Sequence, residues 1–285
     1  MERKPAGLNR VVGMIAVACV SACAPRPVSD APRPPAPVDA LLPSGRTLFA
    51  FDFARARYAA IPWHGPGEPP EYCRASDSLR AGLAHPGTWP VLPAPARPFA
   101  PMRSAWGPAG GFYLLDRAGP RLGQYDSNAQ FLSGASLPAE IRGRNLEAFQ
   151  FFRARDGSFW FLDMGEGIAR QFSELRTFVD QGEWRARVTV RLPVGTGECI
   201  WEPYLRNPCC ISARGGPPVC FDAYFNPAGA WKRPEGPGLK PRPSPDGRSW
   251  MLELDGGAGC ASPPLCFEPG KGALSDCPSG PTHSP

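Results

Sequence analysis

Gly111-Phe112-Tyr113-Leu114-Leu115-Asp116 and Ser158-Phe159-Trp160-Phe161-Leu162-Asp163 decide the fold, because they carry one pattern twice at an offset of 47 residues. The likeness continues without a gap. Gln124-Tyr125 stands against Gln171-Phe172, and Phe131-Leu132 against Phe178-Val179. Each copy reads as an apolar strand, a polar turn, a second strand, another turn and a third short strand. A period of this size with short, turn-linked strands is that of one β-propeller blade.

The internal spacing is sharper than the period. After Asp116 come Arg121-Leu122, Tyr125, Asp126, Asn128 and Phe131. This order resembles the NHL repeat, in which an Asp is followed by Arg and an aliphatic residue, then by Phe-Asp-x-Asn-Gly-x-aromatic. Asp163, Gly165, Phe172 and Phe178 keep the spacing, with Ile168 where Arg is expected, and Ala129 and Arg176 at the usual turn glycine. A third fragment, Phe225-Asn226-Pro227-Ala228-Gly229-Ala230-Trp231, repeats the aromatic-turn-aromatic end. Weaker strand cues lie at Leu48–Asp52 and at Pro245-Asp246-Gly247 leading into Ser249–Leu254.

The resemblance implies an all-β, partial or five- to six-bladed NHL-like β-propeller. About 240 residues follow Gly45, enough for five blades, or six if some are short. Physical logic agrees. An aspartate closing an apolar strand can accept hydrogen bonds from the next turn's amides, the role expected of Asp116 and Asp163. Aromatic residues alternating along adjacent strands can fill the space between neighbouring blades.

The composition fits turn-linked strands rather than helices. Of 285 residues 38 are proline and 32 glycine, while 42% are hydrophobic and 11% aromatic. Long helices do not tolerate so much proline, and a chain without a core does not carry so many aromatics. Residues 98–192 hold 15 of the 30 aromatics and only five prolines. The core is therefore placed over 46–231, with the best repeats at 98–144 and 145–191. Residues 232–285 are a Pro/Gly- and Cys-rich part with room for a last blade.

The N-terminus points to export. Arg3, Lys4 and Arg10 precede the uncharged run Val11–Val20, which has the length of a signal-peptide core and is too short for a permanent membrane span. Val20-Ser21-Ala22-Cys23 follows and resembles the lipobox of bacterial lipoproteins. The resemblance implies a signal peptide over 1–22, diacylation of Cys23 and, with Ala24 next, sorting to the outer membrane. Ala24–Gly45 contains seven prolines in 22 residues, so 23–45 is expected to be a disordered, Pro-rich tether. Without the signal segment the charge falls from +5 to +3, since three basic residues and one acidic residue leave. No basic stripe remains, and nucleic acid is not an expected partner.

Eight cysteines lie beyond Cys23: Cys73, Cys199, Cys209, Cys210, Cys220, Cys260, Cys266 and Cys277. An even number in an exported chain favours disulfides. Equal spacing suggests the pairs Cys199–Cys209 and Cys210–Cys220, although eight cysteines allow 105 pairings.

Catalytic patterns are absent. The chain has no Gly-x-Ser-x-Gly, no Walker loop, no dinucleotide fingerprint and no His-Glu-x-x-His. His64 and His85 sit in a proline-rich stretch, and His283 sits near the end. Asp163 and Glu166 could act as paired carboxylates, but the repeat position of Asp163 favours turn capping. Trp63, Trp89, Trp106 and Trp160 could form a sugar- or peptide-binding face, against which stands burial between blades. The expectation is a non-enzymatic lipoprotein without catalytic residues, resident metal or cofactor. It would be held to the outer membrane by its lipid and would present a propeller surface to a protein or glycan. The alternative is a periplasmic metal-dependent hydrolase or lyase using calcium or zinc in the propeller channel.

Overall fold

Alternating apolar residues bounded by Asp, Gly and Pro turns make strands of three to eight residues, and these assemble into five antiparallel sheets. The computed structural model describes residues 38–62, 81–83, 88–94, 98–174, 184–201, 204–205, 207–234, 238–255, 265–268 and 274–277. Blade one is β1 (Ala40–Ser44), β2 (Thr47–Asp52) and β3 (Arg57–Pro62). The propeller therefore begins inside the stretch expected to be tether: residues 40–44 pair with β2 and bury Leu41 and Leu42 in the core, because this end of the proline-rich stretch carries large apolar side chains. Blade two is β4 (Pro101–Trp106), β5 (Phe112–Asp116), β6 (Arg121–Tyr125) and β7 (Phe131–Ser136). Blade three is β8 (Phe149–Arg153), β9 (Phe159–Asp163), β10 (Ile168–Glu174) and β11 (Trp184–Arg191). Blade four is β12 (Thr196–Ile200), β13 (Cys209–Ser212), β14 (Val219–Phe221) and β15 (Pro227–Ala230). Blade five is β16 (Gly238–Pro243), β17 (Trp250–Asp255), β18 (Leu265–Phe267) and β19 (Leu274–Asp276).

Strands pair in chain order within every sheet, so each blade is a meander. In blade one the outer position is taken by a stub: Arg57 bridges Val91, Tyr58 N donates to Pro90 O at 3.1 Å, and Leu92 N donates to Ala56 O at 2.8 Å. The chain is thus an all-β five-bladed propeller. Residues beyond 232 supply the whole fifth blade, although their apolar content is thin.

The blades are joined by the aromatic layers that the alternation predicts. Phe49, Phe51, Phe112 and Tyr125 unite blades one and two, and Tyr113, Phe151, Phe159 and Phe172 unite two and three. Trp160, Trp201, Phe221 and Phe225 unite three and four. The ring closes through a fourth cluster containing Leu41, Leu48, Ile200, Ile211, Trp250, Leu252 and Phe267 from blades one, four and five. Burying one such aromatic contributes about 1.5–3 kcal/mol, and the close pairs, such as Tyr113 edge-on to Phe159 at 5.0 Å, add to this.

Three equivalent aspartates end the second strand of blades one to three. Asp52, Asp116 and Asp163 are all buried. Asp116 Oδ1 accepts from Ala100 N at 2.8 Å and Ala118 N at 3.0 Å, while Oδ2 accepts from Arg121 Nε at 2.8 Å. Asp163 Oδ1 accepts from Gly165 N and Glu166 N at 3.1 and 3.0 Å. Arg144 forms ion pairs with both Asp163 and Glu166.

The third repeat fragment needs a correction of register. Asp126 Oδ1 accepts from Asn128 N and Gln130 N, and Asp222 Oδ1 accepts from Tyr224 N and Asn226 N in the same way. Both turns follow a shift in strand register, at Gln124/Tyr125 and at Cys220/Phe221. Phe221 is therefore the counterpart of Tyr125. Phe225, which the spacing suggested for that role, is the counterpart of Ala129. Those two residues stand in the left-handed region, at φ 61° and 59°, where the repeat pattern has glycine. Each keeps a side chain there because it is needed in an inter-blade core.

The disulfide pairing is also corrected. Cys199 bonds Cys210, Cys209 bonds Cys220, and Cys266 bonds Cys277. Neighbouring residues on a strand point to opposite faces. In β13, Cys210 sits opposite Cys199 of β12, and Cys209 sits opposite Cys220 of β14. Cα atoms of the two pairs are 4.0 and 3.9 Å apart. The expected Cys199–Cys209 and Cys210–Cys220 pairs would each join residues one step out of register. Cys73 and Cys260 lie outside the described residues.

Candidate functional site: the central cavity

Strand segments from all five blades converge on one cavity of about 170 Å³. Blade one brings Ala40, Leu41 and Leu42 with the preceding Asp39, and blade two brings Arg103, Ser104 and Ala105. Phe151 and Phe152 come from blade three, and Glu198, Cys199 and Ile200 from blade four. Blade five contributes Trp250 and Leu252 from its second strand. Tyr204 sits on the loop after β12, and its hydroxyl donates to Leu41 O at 2.6 Å. That bond ties blade four to blade one across the closure.

Three charged groups face this mostly apolar space. Asp39 Oδ2 accepts from Phe53 N at 2.6 Å, which anchors the carboxylate beside β1. Burial raises its pKa, the neighbouring Asp52 adds to this, and the Phe53 and Ala54 amides with Arg103 oppose it. Glu198 is clasped by Trp250 at both ends. Its Oε2 accepts from Trp250 N at 3.0 Å, and its carbonyl accepts from Trp250 Nε1 at 3.0 Å. Burial pushes the Glu198 carboxyl up, Glu268 pushes it further, and the Trp250 amide and Arg103 pull it down. Arg103 donates through Nε to Phe149 O at 3.3 Å, crossing from blade two to blade three. Its positive charge bears on both carboxylates.

None of these three residues carries a motif signal. Arg103 and Glu198 are single polar residues on inner strands and Asp39 just precedes one, and only ring closure brings them together. In Thr196–Ile200 Glu198 is the one acidic residue and directly precedes the buried Cys199 and Ile200, the faint local sign of a special role.

Trp89, Trp106 and Trp160 do not gather into a face. Trp89 and Trp160 are buried, in different clusters. Trp106 donates to Arg153 O at 2.8 Å beneath the Arg153 guanidinium. Glu166 stays at the surface beside Asp163, paired with Arg144 and Arg170. Cys23, the 1–22 segment, Trp63, His64, His85 and His283 lie outside the described residues. Among the described residues no group of three or more His, Cys, Asp or Glu could hold a metal ion, and no helix is long and apolar enough to cross a membrane.

The fold and the site define a disulfide-stapled five-bladed propeller with a small, charge-bearing central cavity. No family model matches the chain, and no curated protein does. Solved propeller structures are similar in fold. Virginiamycin B lyase from Staphylococcus aureus aligns at 10% identity and TM-score 0.40, over 85% of this chain and 70% of that one. A protein of unknown function from Bacteroides caccae aligns at 10% identity and TM-score 0.44, over 82% and 78%. A 6-phosphogluconolactonase-like protein from Bacteroides fragilis aligns at 13% identity and TM-score 0.35, over 83% and 67%.

Proposed function

We propose that this chain is an exported, non-enzymatic binding protein whose propeller takes a small ligand, or one side chain of a larger partner, in its central cavity. The observation that carries this reading is the cavity itself. All five blades line it, its walls are apolar, and a few charged groups converge there, the usual make-up of a ligand pocket. Three disulfides among the described residues suit an oxidising compartment. The lipobox-like Val20–Cys23 then supplies the address: acylation at Cys23, the outer membrane, and the proline-rich residues ahead of β1 as tether.

Two experiments test the two halves. Labelled palmitate should enter the full-length protein in cells and be lost in Cys23→Ser; unchanged labelling refutes the anchor. For the cavity, a panel of small amphiphilic compounds and glycans is screened by thermal shift against wild type and Ser104→Trp, which places an indole in the cavity wall. Compounds that stabilise wild type and not the plugged variant support the reading. Equal shifts in both refute it. Stoichiometric calcium or zinc in the purified protein would favour a metal-dependent hydrolase or lyase instead.

A further inference from the structure

The cavity is small, aromatic and unbalanced in charge, and these three properties together select a ligand class. About 170 Å³ is slightly more than an engineered cavity of roughly 150 Å³ that holds benzene, so one ring with one or two further heavy atoms fits. Phe53, Phe151, Phe152, Trp201, Tyr204 and Trp250 all contribute to the lining. Aromatic rings attract cations through their faces, most strongly where water is excluded. The lining also bears two carboxylates, Asp39 and Glu198, and one guanidinium, Arg103, which leaves one net negative charge.

The hydrogen bonding is asymmetric. Glu198 uses only Oε2, for the Trp250 amide, and Oε1 takes no hydrogen bond from the described residues. Arg103 spends one donor on Phe149 O and makes no ion pair with either carboxylate within 4.0 Å among the described residues. Glu198 is partly buried, and a carboxylate drawn partly out of water, with a free oxygen and no bound counterion, gains from an arriving cation. One monovalent cation brings the site to neutrality. A zwitterion leaves the imbalance as it stands, and an anion doubles it.

Resting on the reading of the cavity as a ligand site, we infer that it binds an amphiphilic organic monocation, a primary or substituted ammonium on a single aromatic or aliphatic body. The apolar body lies among Leu41, Phe151, Ile200 and Leu252, the ammonium meets Glu198 Oε1, and Asp39 supplies the second carboxylate. Arg103 tempers the negative field, so that one positive charge suffices and a dication is rejected.

The test uses benzylammonium, benzyl alcohol and benzoate, three ligands of nearly one shape and different charge, titrated calorimetrically into the full chain with its disulfides intact. Benzylammonium should bind on the order of tenfold tighter than benzyl alcohol, and benzoate should not bind. Glu198→Gln keeps an acceptor for the Trp250 amide and should bring benzylammonium down to the affinity of benzyl alcohol, leaving benzyl alcohol unchanged. Asp39→Asn should weaken benzylammonium alone by a smaller factor, and it replaces Glu198→Gln should that variant not fold. Benzyl alcohol or benzoate binding as tightly as benzylammonium overturns the cation selectivity while leaving the cavity a ligand site. So does benzylammonium binding that is indifferent to both substitutions. If none of the three binds, both this inference and the ligand-site reading fail.

Discussion

Replacing Asp116 by alanine is expected to destabilise the propeller by about 3–5 kcal/mol, a figure that follows from the geometry of one carboxylate. Asp116 is 1% exposed and closes β5. Its Oδ1 holds the amides of Ala100 and Ala118 at 2.8 and 3.0 Å, and its Oδ2 holds Arg121. Hydrogen bonds to a charged acceptor contribute about 1.5–3 kcal/mol each, and the lower end applies to amides that can turn to water. Arg121 keeps a second bond, to Pro98 O at 2.8 Å, and its side chain is 20% exposed, so the ion pair adds only about 1 kcal/mol. Asp116→Asn retains an oxygen for both amides and loses the pair alone, so it should cost about 1–2 kcal/mol. Urea unfolding followed by tryptophan fluorescence measures both, read as a shift of midpoint at constant slope. Equal losses for Asn and Ala, or a loss under about 1 kcal/mol for Ala, would refute the assignment of Oδ1 as the clamp of the turn.

Four further outcomes are expected. Peptide mapping without reduction should recover Cys199 joined to Cys210 and Cys209 to Cys220, and a Cys199–Cys209 peptide would contradict the strand register; losing either bridge should cost about 3 kcal/mol for a loop of 11 residues. Gly111→Ala should destabilise by about 1–3 kcal/mol in the same urea assay, because a Cβ there would meet Tyr125 O at 2.2 Å. Tyr204→Phe removes the bond that ties blade four to blade one and should cost about 1–2 kcal/mol. Burial holds the Tyr204 hydroxyl above its ordinary value of 10, so its contribution is intact below pH 10 and is lost as the pH rises beyond, a loss that Tyr204→Phe should not show. Burial likewise raises the Glu198 carboxyl above 4.5, so ionisation opposes folding. Glu198→Gln should therefore be more stable than wild type at pH 7, with the advantage shrinking as pH falls to 4.5.

The repeat was legible because blades two and three each keep an apolar strand, a buried Asp and an aromatic at fixed spacing. Local patterns of this kind report local geometry. Blade four hid its register because Phe225 looks like the strand aromatic of the pattern, while its backbone occupies the left-handed turn position. Asp222, with its amide partners at 2.8 and 2.9 Å, marks the true register. The disulfides erred for a related reason: equal spacing pairs Cys199 with Cys209, but alternation sends Cys209 and Cys210 to opposite faces, and only a hairpin register chooses between them. Asp39, Arg103 and Glu198 were silent because a cavity at the axis of a ring is assembled from a few residues of each blade. No window of sequence contains them together.

The neighbouring cysteines of β13 have a mechanical consequence. With Cys209 bonded outward to β14 and Cys210 inward to β12, the shortest covalent route from Cys199 to Cys220 runs through two sulfur bridges and a single peptide bond. A chain pulled at both ends cannot pay out the residues between, which would otherwise extend to ~70 Å at 3.3–3.6 Å each. Under tension this segment behaves as a rivet of fixed length. A protease that nicks either enclosed loop cuts no load-bearing path, so the severed fourth blade stays joined to its neighbours until a reductant reaches it.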